Sequence, residues 1–185
     1  MLEIGAGTGK ATIQLARRGY QIRCVEPGEN LARILVAKCS CYPNVRVDVT
    51  SFEEWTPNED TKFDLIFCAQ AFDYINPKSR YLKCHQLLNQ GGYLALFWYE
   101  HEEEYWESDI VASNLFHNPR VFEYHSEFAS SAESQVRAME STSSFVSLDE
   151  EAKSKMRDEV RRNIEQQGGV ANVRLNYRMY VAERI

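Results

Sequence analysis

Apolar residues in this chain fall into short runs separated by stretches where they recur every three or four positions, a pattern that predicts parallel strands alternating with helices. Residues 1–4 read as a first strand. Residues 10–18 read as a helix with Ile13 and Ala16 inward, and Gly19 stands just past its end, where a left-handed conformation costs glycine little. A second strand is predicted over 21–26. Leu31, Ile34, Leu35 and Val36 give the next helix an apolar stripe, Pro43 stops it, and 45–49 follows as a third strand. The apolar run 63–69 fits a central strand covered on both faces.

After that run Asn76 is placed to cap a helix and Pro77 suits its first turn. Tyr81, Cys84 and Leu88 recur at helical spacing, and Gly91-Gly92 closes the element before a fifth strand over 93–99. Residues 121–125 are a candidate edge strand, and 136–139 a short helix. Residues 149–167 predict the last helix, with Ala152, Met156, Val160 and Ile164 four apart and acids in its first turn. In the final strand Val173, Leu175, Tyr177, Met179 and Val181 alternate with polar residues in period two, so one of its faces is partly wet. No internal repeat or low-complexity linker interrupts the pattern.

Composition narrows the classes of function. A chain of 185 residues, 44% hydrophobic, suits a single domain over 1–185 with a real core. A net charge of -6 disfavours a nucleic-acid backbone as partner, since phosphate neutralisation needs clustered Lys and Arg, and a small-molecule substrate is expected instead. No apolar run reaches membrane-spanning length and no signal sequence opens the chain, so no membrane is expected and the cytoplasm is the default. Cys24, Cys39, Cys41, Cys68 and Cys84 are odd in number and read mostly as buried small hydrophobes; no metal site is expected.

The chemistry is concentrated at Leu2-Glu3-Ile4-Gly5-Ala6-Gly7-Thr8-Gly9 and at Glu26, which ends the second strand before Pro27. A strand ending in alternate glycines, a helix, and a second strand ending in a carboxylate make the unit that holds an adenosine moiety. A dinucleotide fold prefers a further glycine where this chain has Lys10, which argues against NAD. The glycines at 5, 7 and 9 with Glu3 ahead of them resemble the first motif of the class I S-adenosylmethionine-dependent methyltransferases. Ser51-Phe52-Glu53-Glu54-Trp55, the run from Phe63 to Phe72, and Leu87-Leu88-Asn89-Gln90-Gly91-Gly92 are similar to that family's later motifs, in family order. The likeness covers roughly the first hundred residues and returns at the final strand.

The resemblance implies an α/β fold: a Rossmann-like doubly wound sheet, mostly parallel, with an antiparallel last strand. It implies S-adenosylmethionine as cofactor and methyl transfer to a small-molecule acceptor. It further implies that Gly5, Gly7 and Gly9 line the ribose and methionine portion, with Thr8 helping the turn at the cofactor, Glu3 near the amino group, Glu26 and Pro27 at the ribose, Ser51 and Phe52 at the adenine, and Gln70 beside the sulfonium. Many relatives read Ala-Phe-His-Trp where this chain has Ala71-Phe72-Asp73-Tyr74, and Asp73 is either a candidate base for the acceptor or a solvated turn residue. Trp98, Tyr99 and His101 either line the acceptor pocket or merely pack there.

Two surface runs have simpler readings. Glu100, Glu102, Glu103, Glu104, Glu107 and Asp109 fit a solvated helix face, and the serines around Ser130 and Ser141–Ser144 fit turns and caps. Relatives carry a helix ahead of the first motif that covers the cofactor, and here Met1 lies inside the motif. A truncated chain with an uncovered site is therefore expected, keeping cofactor affinity with weak turnover, or receiving its cover from another chain in a homo-oligomer. The alternatives are a non-catalytic binding or interaction module and, less favoured, an NAD-dependent oxidoreductase.

Overall fold

Alternating apolar runs and helical repeats become seven strands and six helices among the described residues, which are 1–99, 105–140, 145 and 148–185 of the computed structural model. The strands are β1 (Leu2–Ile4), β2 (Ile22–Val25), β3 (Val45–Asp48), β4 (Phe63–Ala69), β5 (Leu88–Tyr99), β6 (Arg120–Ser131) and β7 (Val170–Glu183). The helices are α1 (Lys10–Ala16), α2 (Glu29–Cys39), α3 (Arg80–Leu87), α4 (Tyr105–Ala112), α5 (Ala132–Glu140) and α6 (Glu150–Gln166), and a 3-10 turn spans Phe72–Tyr74. The sheet order is β3-β2-β1-β4-β5-β7-β6. Strands β1 to β5 pair in parallel and β7 runs antiparallel to β5. This is the doubly wound sheet with a reversed last strand that the motifs imply, with β4 at its centre.

Period two in β1 sorts the core into two layers. Leu2 and Ile4 join the larger cluster with Val25, Ile66, Cys68, Leu94 and Leu96, covered by Tyr81, Cys84 and Leu87 of α3 and by Trp106 and Ile110 of α4. A smaller cluster of Ala6, Ala16, Ile22, Cys24, Leu35 and Cys39 packs beneath α1 and α2. Glu3, between Leu2 and Ile4, belongs to the α1 side, where its carboxylate meets Thr12.

Several expected elements are shifted. The inward face of α1 is Thr12 and Ala16, with Ile13 only half-buried, and the helix ends at Ala16. On α2 the buried positions are Ala32, Leu35 and Cys39; of the expected stripe Leu35 is buried and Leu31, Ile34 and Val36 are exposed, because the helix turns the Ala32–Leu35–Cys39 face to the sheet. Asn76 opens a turn rather than the helix itself: its side chain accepts from the Lys78 amide at 3.0 Å, its carbonyl from Arg80 N, and α3 starts at Arg80. Strand β5 reaches back to Leu88 and takes in Gly91-Gly92, with a register shift against β4 between Phe63 and Leu65. Strands β6 and β7 are both longer than the sequence pattern shows, and α5 extends to nine residues.

Contacts divide the chain into two compact units, Met1–Tyr124 with Tyr177–Ile185, and His125–Asn176. In the second unit Val136, Phe145 and Ile164 are buried, and α5 is tied to α6 by Arg157–Glu140 at 2.7 Å and Arg161–Glu133 at 2.8 Å. Asp149 caps α6 as expected for its residue type, its side chain accepting from Ala152 N at 2.8 Å. Glu127 pairs with Arg174 and His125 with Asn176 across its strand segments. Glu100, His101, Glu102, Glu103 and Glu104, Ser141, Thr142, Ser143 and Ser144, and the side chain of Tyr99 lie outside the described residues.

Candidate functional site

The carboxyl ends of β1, β2 and β4 meet in the first unit, and the backbone there is unusual. Gly5, Gly7 and Gly9 all have positive φ, at 67°, 56° and 82°. Two of the three are required by packing. A side chain on Gly5 would begin 2.4 Å from Ala71 Cβ, and one on Gly9 would begin 2.5 Å from Leu35 Cδ1. Around Gly7 nothing lies within 4 Å of that position, so the middle of the loop faces open space. Gly9 also precedes α1 as its N-cap and accepts from Ile13 N at 3.1 Å.

Glu26 binds this loop to β2. One carboxylate oxygen accepts the Gly7 amide at 2.7 Å and the other the Gly28 amide at 2.8 Å, and the residue is 5% exposed. Charge-assisted bonds of this kind are the strong ones. A carboxylate has about four acceptor positions, so two remain for further donors, the number that a vicinal diol supplies. Pro27, next in the chain, is exposed and lacks an amide hydrogen, which leaves Gly28 to close the turn.

Glu3 is held differently. It is 1% exposed, its Oε2 accepts from the Thr12 hydroxyl at 2.6 Å, and Cys24 Sγ stands at 3.8 Å. Burial pushes its carboxyl up to about 7, against the lowering effect of the Thr12 and Cys24 bonds, with Glu26 adding a smaller upward push. Thr12 was not marked by any motif; its one signal in sequence is its place four residues before Ala16, on the same helix face. Burial likewise raises the Cys24 and Cys68 thiols, and all five cysteines are free.

On the far side of β2 the Ser51 hydroxyl accepts from Glu54 N at 3.2 Å and donates to Glu54 Oε2 at 3.0 Å, a Ser-x-x-Glu turn start. Phe52 is 3% exposed and belongs to the larger core cluster. Trp55 is also in that cluster, and its indole donates to Asp48 at 2.8 Å. Thr8 is half-buried, and its carbonyl accepts from Lys38 Nζ at 3.2 Å.

After β4, Gln70 has φ 62°, uncommon for a residue with a side chain, and its amide donates to Phe97 O at 3.1 Å. Ala71 closes on Gly5, so this turn is the immediate neighbour of the glycine loop. Asp73 is exposed and accepts the Tyr105 hydroxyl. Burial and that bond push the Tyr105 phenol up to about 12, which keeps it a donor at neutral pH. Asp109, expected on a solvated face, instead pairs with Arg80 and accepts from Tyr81 OH at 3.1 Å. Arg80 is buried among the rings of Phe72, Tyr81 and Trp106, at 5.1, 5.2 and 4.9 Å from their centroids. The Trp98 and Trp106 rings are packed together with centroids 5.0 Å apart.

The structure thus brings Glu3, Gly5, Gly7, Thr8, Gly9, Glu26 and Pro27 to one loop pair, with Gln70 and Asp73 on the turn that touches it, and Ser51 and Phe52 on a separate turn after β3.

An uncharacterised methyltransferase of Mycobacterium tuberculosis is 31% identical over 103 residues, which is 56% of this chain and 41% of that protein. The chain therefore spans well under half the length of that relative. Phosphoethanolamine N-methyltransferase 2 of Haemonchus contortus, solved with phosphomonomethylethanolamine and S-adenosylhomocysteine, superposes with a TM-score of 0.64 at 15% identity, covering 100% of this chain and 48% of that one. Geranyl diphosphate C-methyltransferase of Streptomyces coelicolor, solved with Mg2+, geranyl diphosphate and S-adenosyl-L-homocysteine, gives 0.59 at 12% identity, over 100% and 70%. These two likenesses are of fold. The methyltransferase domain family profile matches residues 2–96, just over half of the chain, and includes both the glycine loop and Glu26. The chain belongs to this family of methyltransferase domains.

Proposed function

We propose that this chain binds S-adenosylmethionine across the glycine loop and Glu26 and directs its methyl group to a small-molecule acceptor. The observation that carries the reading is the Glu26 carboxylate, anchored to Gly7 and Gly28 with acceptor capacity left for a ribose diol, beside the open space at Gly7. In this reading Gly5, Gly7, Thr8 and Gly9 bring backbone close to the ligand, and Glu3 supports the methionine end from beneath. Pro27 flanks the ribose, Ser51 and Phe52 form the adenine side, and Gln70 lies by the sulfonium. The cofactor supplies a methyl group already activated by its sulfonium. The protein's part is orientation, worth on the order of 7 to 11 kcal/mol when donor and acceptor are held in near-attack geometry. Asp73, steadied by Tyr105, is proposed to take the proton that an amine or hydroxyl acceptor sheds.

The net charge of -6 and the small molecules held by the two structural neighbours support a small acceptor over a nucleic acid. No described helix is long and apolar enough to cross a membrane. Parallel calorimetric titrations with S-adenosylhomocysteine and NADH test the cofactor. Binding of the first alone is expected, and Glu26→Ala should weaken it by about 1 to 3 kcal/mol through lost charged hydrogen bonds. Unchanged affinity in that variant overturns the ribose assignment.

A further inference from the structure

Lys83 stands on α3 outside every motif, and its ammonium is committed entirely to one short turn. It donates to the carbonyls of Phe52 at 2.5 Å, Glu53 at 3.0 Å and Trp55 at 2.6 Å, one for each of its three hydrogens. The nitrogen also lies 5.0 Å from the centroid of the Phe52 ring. The turn is a single helical one: Ser51 caps it through Glu54 N, and Trp55 N donates to Ser51 O at 3.0 Å. With no second turn to follow, its carbonyls have no helical amides to accept from, and a cation at their end is favoured. Two side-chain ties assist, Glu53 Oε1 accepting from Asn76 N at 2.8 Å and Trp55 donating to Asp48. Lys83 grips the backbone itself.

We propose that Lys83 is a positioning residue for the adenine side of the cofactor site, setting through the Ser51–Trp55 backbone where Ser51 and Phe52 meet the base. The inference rests on the cofactor reading above. An arginine cannot replace the grip, because a planar fork does not converge on three carbonyls as an ammonium does.

The test separates the base from the rest of the ligand. S-adenosylhomocysteine and S-ribosylhomocysteine, which lacks adenine, are titrated into the unaltered protein, Lys83→Met and Lys83→Arg, with circular dichroism confirming the fold of each. Lys83→Met is expected to lose about tenfold in affinity for S-adenosylhomocysteine, the equivalent of one strong hydrogen bond, and to stay within about twofold for S-ribosylhomocysteine. Lys83→Arg keeps the charge and should show the same split at smaller size; if the methionine variant does not fold, this comparison carries the test. Equal losses for both ligands, or unchanged S-adenosylhomocysteine affinity in a folded variant, overturn the role of Lys83 while the cofactor reading stands. Absence of S-adenosylhomocysteine binding by the unaltered protein overturns both.

Discussion

The glycine loop and the turn after β4 touch through Gly5 and Ala71, yet they are held in opposite ways. In the loop two carboxylates are buried, Glu26 bonded to backbone amides and Glu3 to a threonine beneath the loop, and three residues in five have positive φ. On the turn the acid is exposed and accepts a hydrogen bond from one phenol of α4. Backbone conformation and burial constrain the acids of the first region, whereas the exposed Asp73 can be exchanged without disturbing the core.

The largest break in this contrast should come from Gly5→Ala. The new methyl meets Ala71 Cβ and the positive φ adds backbone strain, together costing about 2 to 5 kcal/mol in urea unfolding. Gly7→Ala carries only the strain of its φ and should cost about 1 to 2 kcal/mol; equal losses would show that the open space at Gly7 is filled.

Glu3→Gln sharpens the comparison through pH. The carboxyl is about 7 in the folded chain and near 4.5 unfolded, so between those values the folded state holds more protons. Stability contributed by Glu3 therefore falls as pH rises from 4.5 to about 7 and is constant above, a loss of roughly 3 kcal/mol. The glutamine variant keeps the Thr12 bond without titrating. It should match the parent near pH 4 and exceed its unfolding free energy at pH 8 by up to that amount. A parallel pH dependence in both proteins would remove Glu3 as the cause.

The smallest effect is expected on the turn. Tyr105→Phe removes a bond between two exposed side chains and should change stability by under about 0.5 kcal/mol. A loss comparable to that of Gly5→Ala would erase the distinction between the regions.

Much of the framework was legible because its signals are local. The apolar run of β4, the glycines and the period-two pattern of β7 each state their own conformation within a few residues. The stripe assigned to α2 held only at Leu35, for the converse reason. Leu31, Ile34 and Val36 have the right spacing, and only the sheet beneath decides that Ala32, Leu35 and Cys39 turn inward. Asp109 misled in the same way, since its charge reads as solvated until α4 brings it against Arg80 of α3.

By itself, then, the sequence determined the strand order's raw material and the identity of the loop and its acid, since positive φ and a strand-ending carboxylate are properties of Gly5, Gly7, Gly9 and Glu26 at their own positions. Only the tertiary structure decided which partners those groups meet. Thr12 reaches Glu3 across 9 residues, Tyr105 reaches Asp73 across 32, and Lys83 reaches the turn after β3 across 28 to 31. Such contacts form when the sheet closes and brings distant segments together; hydrogen-bonding capacity is written in each residue, but its partner is set by packing.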